Sequence, residues 1–316
     1  MQAGHRVTVF GGSGFIGRYV VKRLAQQGCV VRVCVRDTIA AAFLKPMGNV
    51  GQVVPMHLPI TSDDAALRVA VEGADAVINL VGILTESGKR SFQALHADAP
   101  ARLAKIAAEA GVAKFVHVSA LGASAESKSS YARSKAAGEA GIRAAFPNAT
   151  IFRPSIVIGS EDSFFNRFAQ LANWSPALPL IGGGETRFQP VYVGDLADGI
   201  VAALDKPEAV GKTYEAVGPR AYSFRELMEY MLEVTAKHRG LIPIAWPIAE
   251  LKAAVLELLP IKLLTRDQVT LLRSDNVATG APALEALGVK PHAMEAVAPT
   301  WLAAYRKGGR FATKNA

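Results

Sequence analysis

A chain of 316 residues is long enough for one large α/β domain with a smaller one appended. Half of its residues are hydrophobic and a fifth are charged, which excludes global disorder, and a formal net charge of +8 favours acidic partners such as a nucleotide phosphate or an anionic surface. Zinc-knuckle spacing, basic blocks and RNA-binding aromatic signatures are missing, so the charge is not read as a nucleic-acid footprint; His5, His57, His117, His238 and His292 are scattered without metal-ligand spacing and read as structural or surface residues.

The first stretch, "HRVTVF", alternates and then turns apolar, as a buried strand does. Ile16, Val20, Val21 and Leu24 follow at helical spacing, with Gly28 as the stop. A strand that begins by about Arg6 leaves no room for a signal or transit peptide, which predicts a cytoplasmic location or an already processed form. Between strand and helix, Gly12, Gly14 and Gly17 spell G-x-G-x-x-G, and Gly11, Gly14 and Gly17 spell the wider G-x-x-G-x-x-G. Such glycines turn the chain tightly, let the backbone approach a pyrophosphate, and let the helix pack on the strand with its positive end toward the phosphates.

The second strand, "VVRVCVRD", ends with Arg36, nineteen residues after Gly17. An arginine there suits a 2′-phosphate and favours NADP(H); Asp37 beside it keeps NAD(H) possible, since a carboxylate would hold a free ribose 2′-hydroxyl. Arg18 either adds charge near the phosphates or is a solvated arginine at the helix start. Cys29 and Cys34, about 16 Å apart along a strand, predict no disulfide.

Strands and helices then alternate. "VGQVVPMHL" is a third strand, "DDAALRVAVEGA" a helix, "DAVINLVG" a fourth strand and "SFQALHADAPARLAKIAAEAGV" a long helix. "AKFVHVSALGA" is a fifth strand, "SYARSKAAGEAGIRAAF" a helix and "NATIFRPSIVIG" a sixth strand. This order predicts an α/β fold, a doubly wound parallel sheet over residues 1–158, with a smaller C-terminal α+β lobe over 159–316 whose 190–217 part returns to the sheet. In that lobe "NWSPALPLIGGG" reads as a Pro- and Gly-rich loop on the substrate side, and Ser223 as the N-cap of the helix "FRELMEYMLEV". The apolar run 241–264 is too charged and too broken by prolines to span a bilayer; either it packs in the second lobe or it docks on a membrane or a partner.

"YARSK" puts Tyr131 and Lys135 four apart on one helix face. A neighbouring ammonium is expected to lower the phenol pKa and make Tyr131 a general acid–base. With the glycine run 11–17, "NLVG" at 79–82, "VHVSALGA" at 116–123 and "RPSIVIG" at 153–159, the chain resembles the extended and atypical short-chain dehydrogenase/reductase superfamily, whose Rossmann sheet binds NAD(P). The resemblance implies Tyr131, Lys135 and Ser119 in the catalytic positions. It implies Gly11, Gly12, Ser13, Gly14, Phe15, Ile16, Gly17, Arg18, Arg36, Val81, Gly82, Ser119, Tyr131, Lys135 and Pro154 around the cofactor.

The sequence departs from that superfamily at two points. The helper hydroxyl usually found two residues past Ser119 is Leu121, which moves no proton; Ser124, Ser127, Ser129 and Ser130 are the nearby substitutes. An asparagine common in the preceding helix is replaced, with His96 near its place. More narrowly, "GSEDSFFNRFA" after "RPS", then "QPVYVGDLADGI", "LTRDQV" and "EALGVKP", resemble the nucleotide-binding accessory subunits of respiratory complex I and their bacterial relatives. That likeness implies a tightly held NADPH, partner subunits near the quinone site, and a peripheral place on the cytoplasmic, matrix-equivalent face of the respiratory membrane, with 241–264 and the basic tail "YRKGGRFATK" as contact surfaces. The alternative is a free-standing NAD(P)-dependent oxidoreductase or epimerase, acting for example on a quinone, a sterol-like compound or a nucleotide sugar. A redox-sensing regulator ranks last, since no DNA-binding module is added.

Overall fold

Strand β1 (Arg6–Phe10) is buried on both faces: Val7, Val9 and Phe10 are sealed, and Thr8 donates its hydroxyl to the carbonyl of Ala70 at 2.7 Å. A strand covered on both sides by helices needs this continuous apolar character, and it belongs in a parallel sheet. The computed structural model, which describes residues 1, 3–257, 264–280 and 284–309, builds such a sheet. It adds β2 (Val30–Val35), β3 (Val53–His57), β4 (Ala76–Asn79), β5 (Lys114–Val118), β6 (Thr150–Pro154) and β7 (Thr213–Ala216). All seven run parallel, in the order β7-β6-β5-β4-β1-β2-β3. The order reverses between β1 and β4, and a crevice opens at the carboxyl ends of strands at such a switch point.

Helix α1 (Phe15–Gln26) lays Val21 on one face of the sheet beside Val9 and Val33, the three side chains that surround Gly12. Helices α2 (Asp64–Val71), α3 (Ala99–Glu109) and α4 (Ser130–Ala145) cover the other face, where Phe10, Leu67, Val77, Leu103, Phe115 and Ile142 form one core. Helix α5 (Val193–Ala203) precedes β7. The helix expected over 91–112 is realised as a π-helical turn, Gln93–Asp98, that runs into α3. The bulge presses the His96 carbonyl against α4 at Gly138, where a Cβ would lie 1.9 Å from that oxygen.

The chain divides into two units. The first comprises Met1–Pro154, Gly194–Ala216 and Ala281–Lys290; the second comprises Ser155–Val193, Val217–Gly280 and Pro291–Ala316. Among the described residues, the second holds three two-stranded ribbons: Val157–Ile158 with Val191–Tyr192, Arg187–Phe188 with Tyr222–Ser223, and Ala177–Ile181 with Gly240–Ile244. Phe165, Leu178, Leu180, Phe224, Leu227 and Met231 form its core.

Two expectations are corrected here. The stretch read as a loop contains the strand Ala177–Ile181, because Leu178 and Leu180 alternate inward and outweigh the neighbouring prolines and glycines. The single strand expected over 148–159 is split, with 150–154 in the large sheet and 157–158 in a ribbon of the second unit. Ser223 caps its helix as expected, in a full capping box with Glu226. Within 241–264, the helix Trp246–Leu256 buries Ala249 and Ala253, packs Trp246 against them, and exposes Ile248, Leu251 and Val255. Residues 258–263 of that run, and 310–314 of the basic tail, lie outside the described residues. Among the described residues no helix is long and apolar enough to cross a membrane.

Candidate functional site

The glycine turn follows β1 at the switch point. Gly11 has φ +80°, and a Cβ there would lie 3.1 Å from the Leu80 carbonyl carbon, so the turn abuts the end of β4. Gly14 donates its N–H to the Gly11 carbonyl at 3.0 Å and is the N-cap of α1. No side chain caps this helix end and no acidic residue occupies its first turn. Gly17 is buried inside the helix, and a Cβ there would sit 2.3 Å from the Gly11 oxygen, so helix and turn meet backbone to backbone. Ser13, Phe15 and Ile16 are half-buried around this end, and Gly14 is exposed. The Arg18 guanidinium stacks over the Phe43 ring at 4.9 Å.

Arg36 is exposed just past the end of β2. The Asp37 carboxylate accepts N–H bonds from Ile39 and Ala40, both at 2.9 Å, and so caps the turn that follows.

Val81 and Gly82 extend from β4, and a Cβ on Gly82 would lie 3.4 Å from the Lys135 Nζ. Lys135 is buried and donates to the Val118 carbonyl at 3.3 Å. Its ammonium stands 5.9 Å from the centroid of the Tyr131 ring, which also meets Phe92 and His96 edge to face. Burial pulls Lys135 down to about 8, against a smaller upward pull from Glu139. Burial likewise pushes the Tyr131 phenol up to about 12. This corrects the expectation that the ammonium lowers the phenol pKa: removing the phenolate from water outweighs the neighbouring charge. Glu139 is spent on Arg153 of β6, which donates to both its carboxylate oxygens at 2.9 and 2.6 Å.

Ser119 follows β5; it is buried, and its Oγ has no hydrogen-bond partner among the described residues. Leu121 is buried as well, and its N–H binds the carbonyl of Pro154, the last residue of β6, at 2.9 Å. The neighbouring serines are engaged in local turns. Ser124 accepts from the Glu126 N–H, Ser127 from the Ser129 N–H and Ser129 from the Ala132 N–H, while Ser130 accepts from Arg133.

Sequence reasoning left one group without a role. His117 on β5 is sealed from solvent, and its Nδ1 lies 3.1 Å from the Asn79 amide nitrogen; Asn79 Oδ1 in turn accepts the Val81 N–H at 3.1 Å. A histidine at an inward position of a buried parallel strand is the signal that marks it, but without the sheet order its neighbour Asn79 is not visible.

Two comparisons bear on relationship and one on fold. Residues 7–217 match the NAD dependent epimerase/dehydratase family. The mitochondrial "NADH dehydrogenase [ubiquinone] 1 alpha subcomplex subunit 9" of Arabidopsis thaliana is 38% identical over 315 residues, covering 96% of this chain and 78% of that protein. Its Mus musculus counterpart is 40% identical over 294 residues, covering 91% and 77%. A Streptomyces venezuelae dTDP-glucose 4,6-dehydratase, solved with NAD and TYD bound, superposes with a TM-score of 0.64 at 24% identity, over 76% of this chain and 84% of that one, a likeness of fold. The chain therefore belongs to the NAD dependent epimerase/dehydratase family, among the atypical short-chain dehydrogenase/reductase proteins and close to the subunit 9 proteins of mitochondrial NADH dehydrogenase.

Proposed function

We propose that this chain holds a nicotinamide dinucleotide, NADP(H) in preference to NAD(H), as a retained ligand, and serves as an accessory subunit of a respiratory NADH:quinone oxidoreductase. The residues fit such a ligand. An α1 end without a side-chain cap or an acidic first-turn residue suits a pyrophosphate. The buried hydroxyl of Ser119, without a partner among the described residues, and the buried Lys135 ammonium beside Gly82 supply donors. Arg36 suits a 2′-phosphate, whereas Asp37 engages one carboxylate oxygen, Oδ1, in its own turn.

The observation that carries the retained-ligand reading is Leu121. It is buried at the position of the helper hydroxyl; Ser124, Ser127 and Ser129 accept N–H groups of their own turns and of the α4 cap, and Ser130 accepts from the Arg133 guanidinium. When bound, the nicotinamide would supply hydride chemistry; this chain's own residues bind and enclose it. A phenol pushed up to about 12 stays protonated at neutral pH and gives up its proton reluctantly, which supports an enclosing and hydrogen-bonding role for Tyr131 rather than proton transfer. The net charge and the outward Ile248, Leu251 and Val255 support a peripheral membrane or subunit contact.

One observation favours a second reading, a free-standing oxidoreductase: Tyr131 and Lys135 remain in register on α4. A deletion strain decides between them. The accessory reading expects less assembled NADH:quinone oxidoreductase, restored equally by the wild-type chain and by Tyr131→Phe. Normal assembly in the deletion, or no rescue by Tyr131→Phe although that variant still holds nucleotide, favours the enzyme.

A further inference from the structure

We propose that His96 and His117 are positioning residues that hold the end of β4 from behind, fixing Val81 to Ile83 as one wall of the dinucleotide site. The inference rests on the nucleotide-holding reading.

The two histidines act on alternate peptides of one short segment. The Ile83 N–H donates to His96 Nε2 at 3.0 Å. An acceptor at Nε2 leaves the proton of the neutral ring on Nδ1, which lies 3.0 Å from Ser134 Oγ; that hydroxyl donates to the Tyr131 carbonyl at 2.7 Å. The chain of bonds thus runs in one direction, from the β4 end through His96 into α4, the helix that carries Tyr131 and Lys135. His117 works in the opposite tautomer. The Asn79 amide holds its oxygen toward the Val81 N–H, so its nitrogen donates to His117 Nδ1 and the ring proton sits on Nε2. Nε2 is buried and has no partner among the described residues. A buried donor left open costs stability, so the bond at its other nitrogen, to Asn79, is what the ring contributes at this place.

The segment held in this way is the one that matters to a ligand. Leu80 abuts Gly11 of the glycine turn, and Gly82 faces the Lys135 ammonium. With the Val81 and Ile83 N–H groups drawn inward, the segment cannot re-orient its peptides when a dinucleotide arrives or leaves. Preorganisation of this kind slows release without adding a contact. Both rings stay neutral at physiological pH, since burial and the Lys135 ammonium hold His96 down at about 3 and push His117 in the same direction.

The test begins with the wild-type protein loaded with NADPH, its release followed by fluorescence during a chase with excess NADP⁺. If the wild type binds no NADPH, the nucleotide reading itself fails. If it binds, His96→Gln, whose side-chain oxygen can reach the Nε2 position and accept the Ile83 N–H, is expected to release NADPH close to the wild-type rate. His96→Asn and His96→Leu, which cannot accept it, are expected to release it about tenfold faster. Equal release by all three variants, or release rates that merely track their melting temperatures, would overturn the proposal. Tautomers read by nitrogen NMR of the wild type provide a check that needs no variant to fold: Nδ1–H for His96 and Nε2–H for His117 are expected, and the reverse in either ring refutes the assignment.

Discussion

Gly17→Ala should destabilise this protein and release its nucleotide, although the same change in an ordinary helix stabilises. Gly17 lies within α1, where alanine is favoured over glycine by about 1 kcal/mol. Here the added methyl would fall 2.3 Å from the Gly11 oxygen and 2.5 Å from Gly12 Cα, both backbone atoms that cannot swing aside. Ordinary contact begins at 3.4 Å, so α1 must withdraw by about 1 Å from the turn it seals. Overpacking of this kind costs about 1–3 kcal/mol, which cancels the helical gain of about 1 kcal/mol and leaves a net loss of up to about 2 kcal/mol. The displacement also moves the helix end away from the pyrophosphate, so nucleotide affinity should fall at least about tenfold. Gly14→Ala is the control for stability alone: its methyl would meet the same oxygen at 3.2 Å, which a shift of a few tenths of an ångström relieves, whereas its place beside the pyrophosphate means that its nucleotide content can also fall. Urea unfolding of the two variants, together with nucleotide content after gel filtration, measures both effects. A Gly17→Ala protein more stable than wild type, or one that retains its full nucleotide, would refute the reasoning.

Further outcomes follow from the same geometry. Arg36→Ala should weaken NADPH about tenfold while leaving NADH nearly unchanged, measured by equilibrium titration with each dinucleotide; an equal loss for both would remove Arg36 from 2′-phosphate recognition. Lys135 carries a pKa lowered from 10.5 to about 8, so the unfolded chain holds the extra proton between those values. Its contribution to stability is therefore fully present above about 10.5 and lost as pH falls through about 8, and nucleotide-free protein should gain stability from pH 8 to 10 with a slope that Lys135→Met abolishes. Above pH 10 Tyr131 reverses the trend: its folded pKa is raised to about 12, so its contribution is present below 10 and is lost as pH rises through 12. Phenol absorbance of wild type minus Tyr131→Phe should show ionisation near 12, and a midpoint at or below 10 would restore the general-base role. Glu139→Gln, which leaves Arg153 without its paired carboxylate, should cost about 2 kcal/mol in chemical denaturation, because the Glu139 side chain is only 9% exposed and pins α4 to β6.

Much of this site is legible in the sequence because its parts are local. The glycine turn lies between one strand and one helix, Arg36 ends the next strand, and Tyr131 and Lys135 share a helix face, so periodicity and spacing suffice to mark them. What sequence misses depends on contacts across the sheet. Asn79 and His117 are 38 positions apart and become neighbours only because β4 pairs with β5. The phenol pKa was expected to fall because the lysine four residues away is visible in sequence, whereas the enclosing rings of Phe92 and His96 are not. The strand Ala177–Ile181 escaped because Pro179 and the glycines after it mark a loop, while its partner Gly240–Ile244 lies some sixty residues on.

A glycine turn that holds a retained NADP(H) has one direct consequence for the purified protein. The most direct measurement is to denature the protein as purified, identify and count the nucleotide released, and follow in parallel the exchange of labelled NADP(H) into the native protein over minutes. Close to one NADP(H) per chain and negligible exchange are expected. A nucleotide that exchanges freely, or NAD(H) in its place, would contradict a retained NADP(H) and point instead to a site built for turnover around Tyr131.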